Sequence, residues 1–357
     1  MGPPHLRAEY AAERAGEEET PEDRDAARIR LMVWYLAAQE NCRTASFFGH
    51  ALEGVLEETP PAPVFDGAKA AKWWCTRELA NIKEVVRQAT RSSHPDLAWR
   101  ITVGLAGYDT LCFWTGETDD LRAMALDSAR EHGDLLGQAW MLQRVGVAHG
   151  MAYRNQEAIA ALQAALEVAE KISRRDIALG ALRNLAVAHN HARDGAASLA
   201  YVRKAVELEP TIADEGLIVV TMAVPHLLKE DFLRAEPMFR RALRIWRDHR
   251  NLHNCAVTLS SLGDTLRGLG RREEALAALA EAHGIQEQLG NSGDLAGCLV
   301  TTGRTHLHFG DWNEARTCFQ QAFDIACEYD LGALIAQAGE GLAEVDRLRA
   351  AADCAGG

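Results

Sequence analysis

Residues 259–282 read LSSLGDTLRGLGRREEALAALAEA, and residues 299–322 read LVTTGRTHLHFGDWNEARTCFQQA. In the first, Gly263 is followed by Ala275 and Ala282; in the second, Gly303 is followed by Ala315 and Ala322. The small residues fall twelve and then seven positions further on in both. Bulky neighbours at helical spacing, Leu259, Leu262, Leu266 and Leu279, fill the space that such a small residue leaves between two close helices. Each segment therefore reads as a helical hairpin.

The same frame fits Gly146, Ala158 and Ala165, then Ala186, Ser198 and Ala205, then Ala223, Ala235 and Ala242. Successive lead residues lie roughly 40 positions apart, with one shorter step, which is the period of stacked helix pairs. No single hairpin buries its apolar face, so each needs the next. Ala106 with Ala125 gives a worn copy before the series, and Ala343 opens a final helix after it. The expectation is an all-α superhelix of five good repeats, a degenerate first one and a cap.

This signature resembles the tetratricopeptide repeat in its longer variant. Arg234 to Leu243, with Pro237 inside it, is similar to that variant's second helix, and Pro210 stands where such repeats end a helix. The departures are Ser198 in place of Ala and Pro225 within a first helix, where it removes a backbone donor and bends the chain. The short step of the period falls in the same region.

The chain has 357 residues and a net charge of −13, which argues against a general phosphate-binding surface. Neither a membrane span nor an apolar signal core is visible. The eight cysteines are scattered without a Cys-x-x-Cys pair, as befits reduced packing residues of a cytoplasmic protein.

In chain order, residues 1–20 read as a short helix and an acidic linker, Glu17-Glu18-Glu19, before Pro21. Residues 21–98 read as a helical adaptor. It holds Trp34 and Tyr35 on one helix, a break at Pro60, Pro61 and Pro63, and a second helix from Lys69 to about Thr90, capped by Asp66. Residues 99–349 are assigned to the repeats and 350–357 to a disordered tail.

The run Arg30 to Leu36, the proline-rich break, and then Trp74, Glu78, Asn81 and Ile82 ahead of the repeats resembles the C-terminal part of large actinobacterial transcriptional activators of the antibiotic regulatory protein (SARP) type. That resemblance implies a regulatory sensor, with residues 1–20 as the tail of a preceding domain. The phosphate-binding pattern Gly-x-x-x-x-Gly-Lys-Ser/Thr is absent from the sequence, so ATP hydrolysis does not carry over. An excised module and a naturally short protein would read alike.

His149, His189, His226 and His306 each stand three residues after a lead residue, with His191 and His308 two further on. Equivalent positions in stacked repeats lie about 10 Å apart, so these read as packing residues and not as metal ligands. His249, His253 and Cys255 offer no visible fourth ligand. Arg240, Arg244 and Arg247 line one helix face, either solvated and paired or a docking surface for an acidic partner. No catalytic pattern is present, so neither an enzyme nor a cofactor site is expected.

The first helix of each stacked pair lines the concave side. The frame places Gln143, Arg144, Met151, Arg183, Asn184, His191, Asp264, Arg267, Arg304 and His308 there, with Val147, Val187, Val220, Thr221, Ser260 and Val300 between them. Arginine and asparagine donors can hold carboxylates or a peptide backbone, and the apolar residues offer side-chain pockets. The expected ligand is a peptide or protein segment or an anionic small molecule; the bland alternative is a face whose charges pair among themselves, as Asp264 beside Arg267 and Arg304 suggests. Two roles remain: the sensor of a transcriptional activator, which would also meet that regulator's other domains, or a free-standing scaffold that joins two proteins. Trp99, Phe113 and Trp114 at one end, and Leu331 to Leu348 at the other, are candidate surfaces for a homodimer.

Overall fold

One turn closes the hairpins of the repeats. After the first helix the backbone crosses the left-handed region at Arg193 (φ 58°), Glu230 (58°), Gly270 (72°) or Gly310 (84°). The next residue then returns its N–H to a carbonyl five positions back: Asp194 to His189 at 2.8 Å, and Asp231 to His226, Arg271 to Leu266 and Asp311 to His306 at 2.9 Å. This bond satisfies a helix-end carbonyl and aims the chain into the second helix. Ser173, Arg250 and Gly290 perform the same turn between repeats. A side-chain contact reinforces it in three hairpins, where His189, His226 and His306 meet Asp194, Asp231 and Asp311 at 3.6, 3.2 and 3.2 Å.

The structure is a computed structural model that describes residues 14, 16–46, 61–112, 116–152, 154–209, 215–329 and 331–356. Most of the expected N-terminal helix, together with Pro60, Phe113, Trp114 and Pro210, lies outside the described residues. The described elements are all helical, and no described helix is long and apolar enough to cross a membrane. The chain divides into two units, residues 1–107 with 121–137, and residues 108–120 with 138–357.

The first unit holds α1 (Pro21–Ser46), α2 (Ala68–Ala89), α3 (Asp96–Gly104) and α5 (Asp119–Glu131), with α5 belonging to it from Leu121. Met32, Leu36, Ala38, Ile82, Val86, Trp99 and Ile101 are its buried centre. The Tyr35 hydroxyl donates to Glu78 at 2.8 Å, and Asn81 donates to the same carboxylate oxygen at 2.8 Å. Trp34 packs edge-on to Trp74, with ring centroids 6.2 Å apart. The tryptophan, glutamate and asparagine singled out in the sequence thus tie α2 to α1. Asp66 is not the cap of α2: that position is Gly67, whose φ of 90° favours a residue without a Cβ.

The second unit contains the repeats: α6 (Leu135–Met151), which belongs to it from Gln138, with α7 (Asn155–Lys171), α8 (Arg175–His191) with α9 (Gly195–Leu208), α10 (Gly216–Leu228) with α11 (Phe232–Asp248), α12 (Leu252–Gly268) with α13 (Arg272–Leu289), and α14 (Ser292–His308) with α15 (Trp312–Glu328), closed by α16 (Gly332–Gly356). The lead residues act as the spacing requires. A Cβ added at Gly146 or Gly263 would lie 2.6 Å from Leu162 or Leu279, and one at Gly303 would lie 2.8 Å from Phe319. Ala186 and Ala223 are fully buried at the matching positions. Tetratricopeptide-type repeats stacked in an α-solenoid are the outcome.

Both ends depart from the sequence expectation. The worn copy is split: α4 (Ala106–Leu111) has only six residues, less than two turns, too short to pair with α5 as a hairpin. The contacts of residues 121–137 lie with the first unit and those of 108–120 with the repeats, so the division does not fall between residues 98 and 99. At the other end, α16 starts at Gly332 and Ala343 lies exposed within it. Gly341 takes the lead position, because a Cβ there would be 2.5 Å from the same Phe319 ring that covers Gly303. The helix also continues through 350–356, where a disordered tail was expected.

Candidate binding face of the repeats

First helices lie side by side: α8 packs on α10, α12 on α14 and α14 on α16. The face they share is the inner side of the stack, and its polar residues join each helix to the next. Arg183 pairs with Glu215 at the head of α10. The Asn190 amide donates to the Thr221 carbonyl at 3.0 Å, and Arg304 donates to Gln337 of α16 at 3.2 Å. Asp264 and Arg267 pair within α12 at 2.7 Å.

Other expected site residues are distributed unevenly. Gln143 is buried, its amide filling the space that a Cβ on Gly180 would need. Met151 and Asn184 are half-buried, while His191 and His308 are exposed, His308 lying edge-on to Phe309. Thr221 and Val300, expected to line the face, are buried beneath it.

Two features had no counterpart in the sequence reading. The first is that residues of the segment 108–120 lie among the repeats. The Asp109 carboxylate is 3.6 Å from Arg144 on α6, while Asn291, at the head of α14, donates to the Thr110 carbonyl at 3.4 Å. On a straight stack with about 10 Å per layer, the helices bearing Arg144 and Asn291 would stand roughly 40 Å apart. Residues whose Cα atoms are about 3.8 Å apart touch both, so the array curls around them. Internal bonds hold the segment in shape, with Tyr108 donating to Glu117 at 2.9 Å and Thr118 to Asp109.

The second feature lies beside Asn291. His253 of α12 faces Asp294 of α14 at 3.2 Å, and Asn291 caps α14 by accepting from the Asp294 N–H at 3.1 Å while donating to its carboxylate at 2.8 Å. Burial pushes the His253 imidazole below its ordinary pKa, and burial pushes the Asp294 carboxyl above its own. Each is driven toward its neutral form, as a pair withdrawn from water should be.

Arg240 pairs with Glu236 and with Glu274 of α13, and Arg247 with Glu281; two arginines of the Arg240, Arg244 and Arg247 stripe on α11 therefore bind the neighbouring second helix. His249 ends α11, apart from the half-buried His253. Among the described residues, no three His, Cys, Asp or Glu side chains are grouped to hold a metal ion. Cys42, Cys75, Cys112, Cys255, Cys298, Cys318 and Cys327 form no disulfide among the described residues.

Comparison with known proteins agrees with this architecture. The tetratricopeptide repeat family model matches residues 218–288 and 254–328. The solved structure of NprR in complex with its cognate peptide NprX is similar at a TM-score of 0.53 and 16% identity, with 78% of this chain and 79% of that one covered. The apo form of the quorum sensor NprR from B. thuringiensis matches at a TM-score of 0.48 and 17% identity, over 78% and 77% of the two chains. BtubC (BKLC) from P. vanneervenii matches at 0.41 and 17%, over 71% and 92%. No curated protein matches the chain.

Proposed function

We propose that the inner face of the repeats binds a peptide or protein segment, or an anionic small molecule, and that this chain is the regulatory module of a pathway-specific transcriptional activator. The observation that carries the binding reading is the chain's own use of the face. A carboxylate rests against Arg144 and a backbone carbonyl accepts from Asn291, the two groups any acidic peptide presents. Gln143, Arg144, Met151, Arg183, Asn184, His191, Asp264, Arg267, Arg304 and His308 are the proposed contact residues. A neighbour of the same fold was solved with a peptide bound, which suits this reading.

Regulation follows from competition. A ligand that presents its own carboxylate to Arg144 exchanges with Asp109 and changes the balance between two arrangements of residues 108–110, by as much as its affinity for them differs. The activator role rests on the resemblance of the Arg30–Leu36 and Trp74–Ile82 stretches to regulators of that type. A free-standing scaffold would use the same face without such a switch.

Calorimetric titration of the chain with a library of acidic and neutral peptides tests the site. Arg144→Ala, Arg183→Ala and Arg304→Ala combined should abolish the binding of whichever peptide the native chain takes up. Binding that survives the triple change places the site elsewhere.

A further inference from the structure

In the first unit, α1 and α2 meet along faces that the sequence writes at helical spacing. Tyr35, Gln39 and Cys42 stand four and then three residues apart on α1, while Cys75, Glu78 and Ile82 stand three and then four apart on α2. Each set therefore shares one side of its helix. Tyr35 takes Glu78 as its partner. Two turns further along α1, Cys42 meets Cys75, one turn earlier on α2, as helices running in opposite directions require. The two sulfurs are 3.6 Å apart. Both residues are buried, at 5% and 1% exposure, and 33 positions separate them in the chain, a distance that no search for Cys-x-x-Cys covers.

A disulfide places its sulfurs at about 2.05 Å, so each sulfur here has to move by roughly 0.8 Å, which a small rotation about χ1 supplies. Gln39 lies against the same pair. It is fully buried, its Oε1 is 3.9 Å from the Cys75 sulfur, and its Nε2 has no hydrogen-bond partner among the described residues. A buried N–H without an acceptor is costly. A half-turn of the amide brings that donor to where Oε1 now stands, facing any oxygen newly placed on the Cys75 sulfur.

We propose that Cys42 and Cys75 are an oxidation site at which a peroxide forms a disulfide that fastens α1 to α2. The Cys75 thiolate attacks one oxygen of the peroxide, the O–O bond breaks, and sulfenic acid and one water result. Cys42 then attacks the Cys75 sulfur, the S–S bond forms, and the sulfenic oxygen leaves as a second water. The two thiols give up two electrons and two protons in all, and the peroxide is reduced by the same two electrons. Burial shields the sulfenic acid from further peroxide, while the neighbouring thiol is in place to resolve it before it climbs to sulfinic acid. The site lies wholly in the first unit and does not depend on the function proposed above.

The test treats the full chain, freed of reductant, with hydrogen peroxide, then alkylates the remaining thiols and reads the tryptic peptides by mass spectrometry. Cleavage after Arg30, Arg43, Lys72 and Arg77 isolates each cysteine on its own peptide. The folded chain should yield residues 31–43 joined to residues 73–77, two hydrogens lighter than the sum and separated by dithiothreitol. The linked protein should unfold about 5–10 °C above the reduced one. Cys42→Ser and Cys75→Ser should each abolish both the link and the shift. Should either variant lose helicity by circular dichroism, reversal of link and shift together by dithiothreitol in the native chain serves in its place. Sulfinic or sulfonic acid at either residue without the joined peptides overturns the proposal, as does a bond from either residue to another of the eight cysteines. So does a link that forms in urea and not in the folded chain, because the contact between α1 and α2 then plays no part in it.

Discussion

The Asp109 carboxylate lies 3.6 Å from the Arg144 guanidinium, with the two side chains only 4% and 15% exposed. A pair so withdrawn from water is costly to break from one side, since the surviving charge is left without its counterion. Asp109→Ala should therefore lower the unfolding free energy by about 3 kcal/mol. Urea denaturation of both single variants and the double variant should return a coupling energy above ~1 kcal/mol. Purely additive losses would show that the two residues act independently.

Among the described residues, four other than glycine sit in the left-handed region, Arg193 and Glu230 being two of them, both exposed. That conformation crowds a Cβ against the backbone at roughly 1–2 kcal/mol, partly offset by the greater flexibility of glycine when unfolded. Glu230→Gly and Arg193→Gly should each stabilise the repeats by about 0.5–1 kcal/mol, readable as a higher thermal midpoint. Their counterparts Gly270 and Gly310 should lose stability on changing to Ala.

Glycines within helices divide by what a methyl group would meet. Gly303→Ala drives a Cβ to within 2.8 Å of the Phe319 ring, a ring already pressed from its other side by Gly341. It should cost about 1–3 kcal/mol as an overpacked core does. Gly284 in α13 has nothing within 4 Å of the added atom, and Gly284→Ala should gain about 0.5–1 kcal/mol from helix propensity. A stabilising Gly303→Ala would contradict the packing role of the lead position.

The His306 ring, by its hydrogen bond, holds the Asp311 carboxyl below the usual carboxylate range against the opposing effect of burial, with Arg272 adding to the shift. A carboxyl with a depressed folded pKa stabilises the protein above its unfolded value, near 3.9. That stability is lost as pH falls through the lower folded value, because the unfolded chain takes up the proton first. Asp311→Asn should lower the stability at about pH 5 and flatten the acid limb below about pH 4. Denaturant titrations across that range measure both.

What the sequence made legible was whatever repeats. Gly263 against Leu279 and Gly303 against Phe319 recur because the offsets within a hairpin are fixed, so spacing alone located the close contacts. The turn contacts are equally regular, as His189 and Asp194, His226 and Asp231, and His306 and Asp311 share one separation. His253 and Asp294 lie about one period apart, so projecting the frame across repeats would have paired them. Asp109 is different in kind. Its partner Arg144 is set by how far the whole array curls, a sum of small rotations that no local pattern encodes. The cap failed for a related reason: Gly341, not Ala343, meets Phe319, because a lead position is defined by the ring that covers it and not by counting.

Val202 and Val206 of α9 stand where α11 has the larger Phe239 and Leu243, and that difference in bulk carries a mechanical consequence. In a solenoid each layer leans only on its neighbours, so strength under tension is set by the poorest joint and not by the average. Drawn apart from its termini, this coil should yield first between α9 and α11, while Arg240 and Arg247 keep the following layers clasped to each other.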